Sequence, residues 1–208
     1  MVLTNIQAKD SLLLIIDIQE RLSPMISDFQ SLLKNTLKLA QASCVHDIPT
    51  LISEQYVQGL GETDNKIKSV LPRASYFSKV HFSACEEAGF LDKLISFNKK
   101  TIVVVGTEAH VCVLQTCIDL LKNGFEVVLV IDAIGSRNAE HKSIAIEQLK
   151  LGGAVISCAE IIIFQWTKTA ATPTFKKILP IIKAATVVIA AAKIPSFKAG
   201  KAFKDACN

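Results

Sequence analysis

Asp17 and Lys79 lie at the ends of two predicted strands, and Cys112 follows a third, where a predicted helix begins. A carboxylate can accept a thiol proton, and an ammonium group beside that carboxylate keeps it ionised and in place. A cysteine at the start of a helix lies at the positive end of the helix dipole, which favours its thiolate form. The combination predicts nucleophilic catalysis by Cys112, with Asp17 as the base and Lys79 as its partner.

Taken one at a time, the three residues carry little weight. Asp17 alone is more typical of a loop or a helix cap, and Lys79 alone of a solvated surface. Cys112 alone is more typical of a small buried hydrophobe, as is Cys117 one helical turn further along. Their weight comes from position, because ligands of an open parallel sheet bind beyond the carboxyl ends of its strands.

The elements that would position these residues alternate between short apolar runs and longer amphipathic segments. Leu12–Ile16 is a continuous apolar run, as in a strand buried on both faces, and Ser27–Val45 has apolar residues at helical spacing. The segment Gln55–Pro72, which contains two glycines and a proline, is predicted to be a long irregular loop. The alternation predicts a single-domain α/β fold, with a parallel sheet and helices on both of its faces. The predicted strands are Leu12–Ile16, Thr50–Ser53, Tyr76–Val80, Thr101–Val105, Phe125–Ile131 and Ala154–Ser157, and the predicted helices are Ser27–Val45, Phe90–Phe97, Val111–Lys122 and Ala139–Leu151.

Composition sets limits on the class of protein. The 208 residues suit one domain, and the net charge of +4 comes from 23 basic and 19 acidic residues that are scattered along the chain. A nucleic-acid partner therefore has little support. The six cysteines include no C-x-x-C pair, which predicts neither a zinc cluster nor a disulfide framework. The first apolar run is too short for a secretory signal, so we expect a reducing compartment, either the cytoplasm or an organelle matrix.

The chain changes character near its end. Residues 1–185 are predicted to form the domain, and residues 186–208 a tail that could make a subunit contact. The segment Ile178–Ala192 is apolar beyond what a surface helix needs, which favours packing on the domain or on a second copy of the chain. Its uninterrupted part, Ala184–Ala192, is too short to span a bilayer, so no membrane association is expected.

Four motifs together resemble the isochorismatase-like cysteine hydrolase family. They are D-I-Q at Asp17, S-K-V-H-F-S-A around Lys79, G-T-E-A-H-V-C-V around Cys112, and D-A-I-G-S-R beginning at Asp132. The similarity runs from about Leu12 to Phe164, and the segment around Cys112 is its most specific part. The sequences of that segment and of the loop at residues 54–61 are similar to those of the isochorismatase-domain-containing subgroup.

This resemblance implies a three-layer, Rossmann-like fold with a six-stranded parallel sheet in the order 3-2-1-4-5-6. It also implies a catalytic triad of Asp17, Lys79 and Cys112. A cis peptide bond between Thr107 and Glu108 is implied as well, directing the backbone N–H of Glu108, with that of Cys112, toward a developing oxyanion. Members of the family form homo-oligomers, so the resemblance suggests the same here.

Two departures from relatives within the family narrow the expected chemistry. Nicotinamidases of the family bind a metal through an Asp-x-His motif and a further histidine, whereas residues 53–58 contain no histidine, so we expect neither a metal nor another cofactor. Isochorismatases that cleave a vinyl ether lack the cysteine. Retention of Cys112 favours acyl transfer from a small amide-like or carbamoyl substrate through a thioester.

Two further residues near the expected site, Gln19 and Phe82, are predicted to contact the substrate, the first by hydrogen bonding and the second as an apolar wall. A different class of function also fits the sequence. The chain could be a non-catalytic or redox-sensing interaction protein that keeps the hydrolase scaffold, because a reactive Cys112 would serve either role.

Overall fold

The fold is a parallel sheet between two layers of helices, described by a computed structural model for residues 5–184. The strands are β1 Ser11–Ile16, β2 Thr50–Gln55, β3 Ser75–Lys79, β4 Thr101–Thr107, β5 Glu126–Gly135 and β6 Val155–Ser157. The helices are α1 Phe29–Val45, α2 Val57–Leu60, α3 Asn65–Val70, α4 Phe90–Ser96, α5 Leu114–Lys122, α6 Ala139–Leu151, α7 Ala159–Thr167 and α8 Pro173–Lys183. The sheet order is β3-β2-β1-β4-β5-β6 with every neighbouring pair parallel, which confirms the predicted fold class.

Strand β1 lies at the centre of the sheet, and all six of its residues are buried. Because side chains alternate along a strand, Leu13 and Ile15 pack into the core beneath α1, α7 and α8. Leu12, Leu14 and Ile16 pack into the opposite core, beneath α4, α5 and α6. A strand that is covered on both faces has to be apolar throughout, which explains the unbroken apolar run in the sequence.

The segment Gln55–Pro72 is more ordered than the irregular loop predicted from its sequence. It contains the last residue of β2 and the helices α2 and α3. The Asp64 side chain caps α3 by accepting a hydrogen bond from the backbone N–H of Lys66 at 2.8 Å. Helices of four and six residues are too short to show a helical repeat, so the spacing of apolar residues did not indicate them.

Strand β5 continues beyond its predicted end at Ile131 to Gly135. After a register shift, Gly106 and Thr107 of β4 pair with Ile134 and Gly135. The start of the helical region after β4 also differs from the prediction, because a π-helical turn, Ala109–Val113, precedes α5. The extension of β5 brings the chain that follows it beside this turn.

The last described helix, α8, packs against α1 and α7 and buries Ile178. Residues 185–192 of the predicted apolar segment, and the predicted tail at residues 186–208, lie outside the described residues. The domain boundary and the homo-oligomer therefore stay predictions. Within residues 5–184, no helix combines the length and apolar character needed to cross a membrane.

Candidate active site

Asp17 and Lys79 form a buried ion pair at the carboxyl ends of β1 and β3. The Lys79 Nζ atom is 2.8 Å from Asp17 Oδ2, and neither side chain is exposed to solvent. Strand β2 lies between β1 and β3 and sets their relative register, since Ser53 lies opposite Ile16 and Gln55 lies opposite Lys79. A buried ion pair is stable only when its remaining hydrogen-bonding positions are also satisfied.

Two side chains of β2 satisfy those positions, and neither was predicted from the sequence to belong to the site. The Ser53 hydroxyl donates to Asp17 Oδ1 at 2.7 Å, while the Gln55 side-chain oxygen accepts from the Lys79 ammonium. Ser53 and Gln55 are polar residues two apart at the end of β2, so they share one side of the strand. That spacing is the signal that could have identified them.

Gln19, one of the two expected substrate contacts, directs its amide to the backbone. Its Nε2 donates to the carbonyl oxygens of Gln55 and Gly61 at 2.9 and 2.6 Å, and its Oε1 accepts from the Gln55 N–H at 2.8 Å. These bonds hold the chain after β2 against the end of β1. A contact between Gln19 and substrate stays a prediction, and the observed contacts are structural.

Phe82, the other expected contact, lies in the loop after β3 with its side chain exposed. The backbone carbonyl oxygens of His81 and Phe82 accept from the Lys79 ammonium at 3.3 and 3.4 Å. The loop thus completes the surroundings of Lys79, and the exposed ring lies at the surface beside it. Its role as an apolar wall stays a prediction.

Cys112 lies in the π-helical turn and is almost completely buried, with 6% of its surface exposed. Both Asp17 and Lys79 influence the protonation of its thiol. Burial first, and then the negative charge of Asp17, raise the pKa of the Cys112 thiol to about 12, while Lys79 opposes the rise. The expectation that the helix start would favour a thiolate is wrong for the resting protein, because burial outweighs it.

The turn that carries Cys112 approaches Asp17 closely because of Gly106. This glycine has a φ of 133°, and a Cβ atom at its position would collide with the backbone of Ile16. The next residue, Thr107, donates its hydroxyl to the carbonyl oxygen of Asp17 at 2.6 Å. The peptide bond between Thr107 and Glu108 is cis.

The loop after β3 is also attached to the helix that follows Cys112. The Ser83 hydroxyl donates to Asp119 Oδ2 at 2.7 Å, and the Thr116 hydroxyl accepts from the Ala84 N–H at 3.0 Å. Both partners belong to α5, one to two turns beyond Cys112. The loop beside Lys79 and the turn that carries Cys112 are therefore held at a fixed separation.

Within residues 5–184, no three side chains among histidine, cysteine, aspartate and glutamate lie together in a way that could hold a metal ion. The polar groups around the buried pair are instead a hydroxyl, an amide and backbone carbonyls.

Three comparisons relate this chain to known proteins. The isochorismatase domain family model matches residues 11–161. Isochorismatase family protein 1B of Dictyostelium discoideum is 34% identical over 186 residues, which cover 87% of this chain and 90% of that protein. The secreted isochorismatase effector Isc1 of Phytophthora sojae is 32% identical, over 83% of this chain and 84% of its own. A solved structure of MAR1 ribonuclease from Caenorhabditis elegans superposes with a TM-score of 0.82, at 32% identity, covering 93% of this chain and 99% of that one.

Proposed function

The chain belongs to the isochorismatase family, and from that premise we propose that it is a cysteine-dependent hydrolase of small amide-like C–N bonds. In this proposal Cys112 is the nucleophile, Asp17 the base and Lys79 the group that orients Asp17. One observation carries it, namely a fully buried and fully hydrogen-bonded Asp17–Lys79 pair beside a buried thiol. Such a pair is costly to bury, and a stability gain alone does not account for it.

The raised pKa of Cys112 suggests how the first step proceeds. Since the resting group is a thiol, its proton passes to Asp17 as the sulfur attacks the carbonyl carbon, so no free thiolate accumulates. A C–S bond forms, and the carbonyl oxygen becomes an oxyanion. In our proposal, the backbone N–H groups of Glu108 and Cys112 stabilise that oxyanion. Lys79 keeps Asp17 in place while the carboxylate gains and loses its proton.

The remaining steps of the proposed reaction return every group to its starting state. The C–N bond breaks as Asp17 gives its proton to the leaving amine, which leaves a thioester on Cys112. Asp17 then takes a proton from a water molecule, whose oxygen attacks the thioester carbon. The carboxylic acid departs and the proton returns to the sulfur, so the cycle requires neither a metal nor a redox cofactor.

A substrate panel with matched cysteine variants tests the proposal. Wild-type protein, Cys112→Ala and Cys117→Ala would be incubated with small primary amides, imides and N-carbamoyl compounds, with ammonia or amine release as the measurement. We expect wild type and Cys117→Ala to turn over at least one compound, and Cys112→Ala to lose that activity by about 10³-fold or more. Equal rates for all three proteins, or no turnover and no acylation of Cys112, would contradict the proposal.

The interaction-protein alternative makes a different prediction. Redox-sensing cysteines combine a low pKa with exposure, whereas Cys112 is buried and its pKa is raised. That combination favours the hydrolase. Rapid oxidation of Cys112 by dilute hydrogen peroxide, without any amide turnover, would favour the alternative.

The solved structure from Caenorhabditis elegans is named a ribonuclease, so RNA is a necessary control substrate. An RNA chain requires a groove lined by basic and aromatic groups, whereas the one lysine of this site, Lys79, is fully buried in an ion pair. We therefore expect Cys112-dependent turnover of amides and none of single-stranded RNA. Cleavage of RNA that Cys112→Ala abolishes would replace the amide proposal.

A further inference from the structure

Helix α7 is apolar around its whole circumference, although residues 5–184 cover only one side of it. Ile161–Phe164 are four consecutive apolar residues, and because successive residues of a helix point about 100° apart, they surround the helix axis. Ile162 and Ile163 are buried in the core, whereas Ile161 and Phe164 have 51% and 43% of their surface exposed. A helix that is apolar on every side is typical of one that is covered on every side. The exposed side of α7 is therefore a candidate interface.

This exposed side lines a groove with a volume of about 770 Å³. The lining residues that come from α7 and from the residue after it, which we name the α7 face, are Glu160, Ile161, Phe164, Gln165 and Lys168. The two charged residues lie at opposite ends of the α7 face, with the apolar residues between them. In the part of the chain that the structure describes, Glu160 makes no ion pair, and the one hydrogen bond of the Lys168 ammonium goes to the Gln7 side-chain oxygen at 3.3 Å. Both charges are therefore available to a partner.

The α7 face also contains a polar atom without a partner. The Gln165 side-chain oxygen is buried, and no group among residues 5–184 donates a hydrogen bond to it. Most buried acceptors in proteins do have a donor, so the donor for this oxygen is expected from outside that range. A side-chain amide carries donors as well as an acceptor, so two Gln165 side chains that meet across a two-fold axis can satisfy each other.

The spacing of the two charges makes the α7 face complementary to itself. Glu160 and Lys168 each lie four residues from Phe164, in opposite directions along the chain. When two copies of α7 pack antiparallel about a two-fold axis at Phe164, each Glu160 lies opposite Lys168 of the partner subunit. A parallel pairing would instead bring like charges together. The antiparallel pairing has an apolar centre and a charged rim, which is the usual arrangement of a protein interface.

We propose that α7 forms the interface of a homodimer, in which the α7 faces of two copies pack antiparallel about a two-fold axis. This inference goes beyond the proposed hydrolase function and does not depend on it. An exposed apolar surface alone does not identify its partner. The symmetric charges and the unpaired amide oxygen do, because a second copy of this chain supplies the complement of each.

Charge reversal tests the symmetry of this interface. Glu160→Lys makes both ends of the α7 face positive and Lys168→Glu makes both ends negative, so each variant should dimerise about tenfold or more weakly than wild type. The double variant has opposite charges at the two ends again and should dimerise within about threefold of wild type. Both positions are exposed, so we expect all of these variants to fold. Sedimentation equilibrium measures the dissociation constants.

A mixture of the two single variants gives the sharpest result. The all-positive face of Glu160→Lys meets the all-negative face of Lys168→Glu in a mixed dimer, whereas each variant repels its own copies. An equimolar mixture should therefore form mixed dimers, at least tenfold more tightly than either variant dimerises alone. Native mass spectrometry identifies the mixed dimer by its mass.

The apolar centre supplies a further measurement. Phe164→Asp places two like charges near the two-fold axis, so the dissociation constant of the dimer should rise by about 30-fold or more. Ile95→Asp, at an exposed apolar position of α4, is the matched control and should leave that constant unchanged. Circular dichroism checks that both variants are folded.

Three results would overturn the proposal. A wild type that is monomeric at about 100 μM would do so, and would favour the chain's own tail, residues 186–208, as the segment that covers the α7 face. An oligomer whose dissociation constant is the same in wild type, Phe164→Asp and both single charge variants would use another surface. Charge variants that dimerise weakly and form no mixed dimer would exclude the antiparallel arrangement.

Discussion

Cys112 and Cys117 lie five positions apart, and both are buried beneath the same face of the sheet. Burial raises the pKa of both thiols. Their neighbours differ. The pKa of Cys112 also responds to the charges of Asp17 and Lys79, whereas the pKa of Cys117 responds to another cysteine, Cys85. A buried thiol is therefore not reactive by virtue of its own pKa. In the proposed mechanism, Cys112 is distinguished by Asp17 beside it, which takes the thiol proton.

Removal of the Asp17 carboxylate, which lies beside Cys112 and not beside Cys117, should have the largest effect on activity. Asp17→Asn keeps the shape of the side chain but cannot accept the thiol proton, so we expect amide turnover to fall by about 10²- to 10⁴-fold. Asp92→Asn, on the exposed surface of α4, is the matched control and should leave the rate unchanged. Steady-state kinetics on the best substrate of the panel measures both. A rate for Asp17→Asn within twofold of wild type would show that another group takes the proton.

The next test asks what burial adds to the ion pair. Lys79→Met leaves Asp17 buried without its partner, so the free energy of unfolding should fall by about 3–5 kcal/mol. The exposed pair of Lys100 and Glu126 has the same separation, 2.8 Å, and Lys100→Met should change stability little. Urea denaturation of the two variants measures the difference. Equal losses would mean that the Asp17–Lys79 pair is far more hydrated than its burial indicates.

A smaller loss is expected at Ser53. Ser53→Ala removes the hydrogen bond to Asp17 Oδ1, and a bond to a charged group contributes about 1.5–3 kcal/mol to stability. Ser143→Ala removes a hydroxyl that bonds a helix carbonyl on the exposed side of α6, and a change within about 0.5 kcal/mol is expected. The same denaturation measurements apply. No loss for Ser53→Ala would show that Asp17 needs no support from β2.

The last prediction concerns the pH dependence of thiol alkylation. Because the folded-state pKa of Cys112 is raised to about 12, its thiolate fraction and its rate of reaction with iodoacetamide should rise about tenfold per pH unit from pH 6 to 9, without a plateau. Peptide mapping separates Cys112 from Cys117, which should stay unmodified in the folded protein. A plateau below pH 8 would indicate a preformed thiolate at Cys112. Asp17→Asn should react faster than wild type, since it lacks the negative charge that raises this pKa.

The sequence predicted the parts of the site that follow from strand order. Asp17 and Lys79 could be placed because parallel strands end at one edge of the sheet, and buried strands show as apolar runs. Ser53 and Gln55 were missed because the predicted strand ended too early for Gln55, and polar residues at a strand end give no indication of their partners. Which groups these side chains contact depends on the neighbouring strands, and therefore on the tertiary structure.

Two other differences have the same origin. The pKa of Cys112 could not be predicted, because local sequence shows a helix start but not how completely the chain covers it. The extension of β5 to Gly135 depends on pairing with β4 after a register shift. Without that extension, the chain at Arg137 would not lie beside Glu108.

Detection of the acyl-enzyme tests the central claim most directly. Wild type, Cys112→Ala and Cys117→Ala would be mixed with the best amide substrate, quenched in acid during turnover, and analysed by mass spectrometry of the intact protein and of its peptides. Our account predicts a mass increase equal to the acyl group, located on Cys112 in wild type and in Cys117→Ala and absent from Cys112→Ala. Turnover that continues in Cys112→Ala, or an acyl group located on another residue, would contradict it.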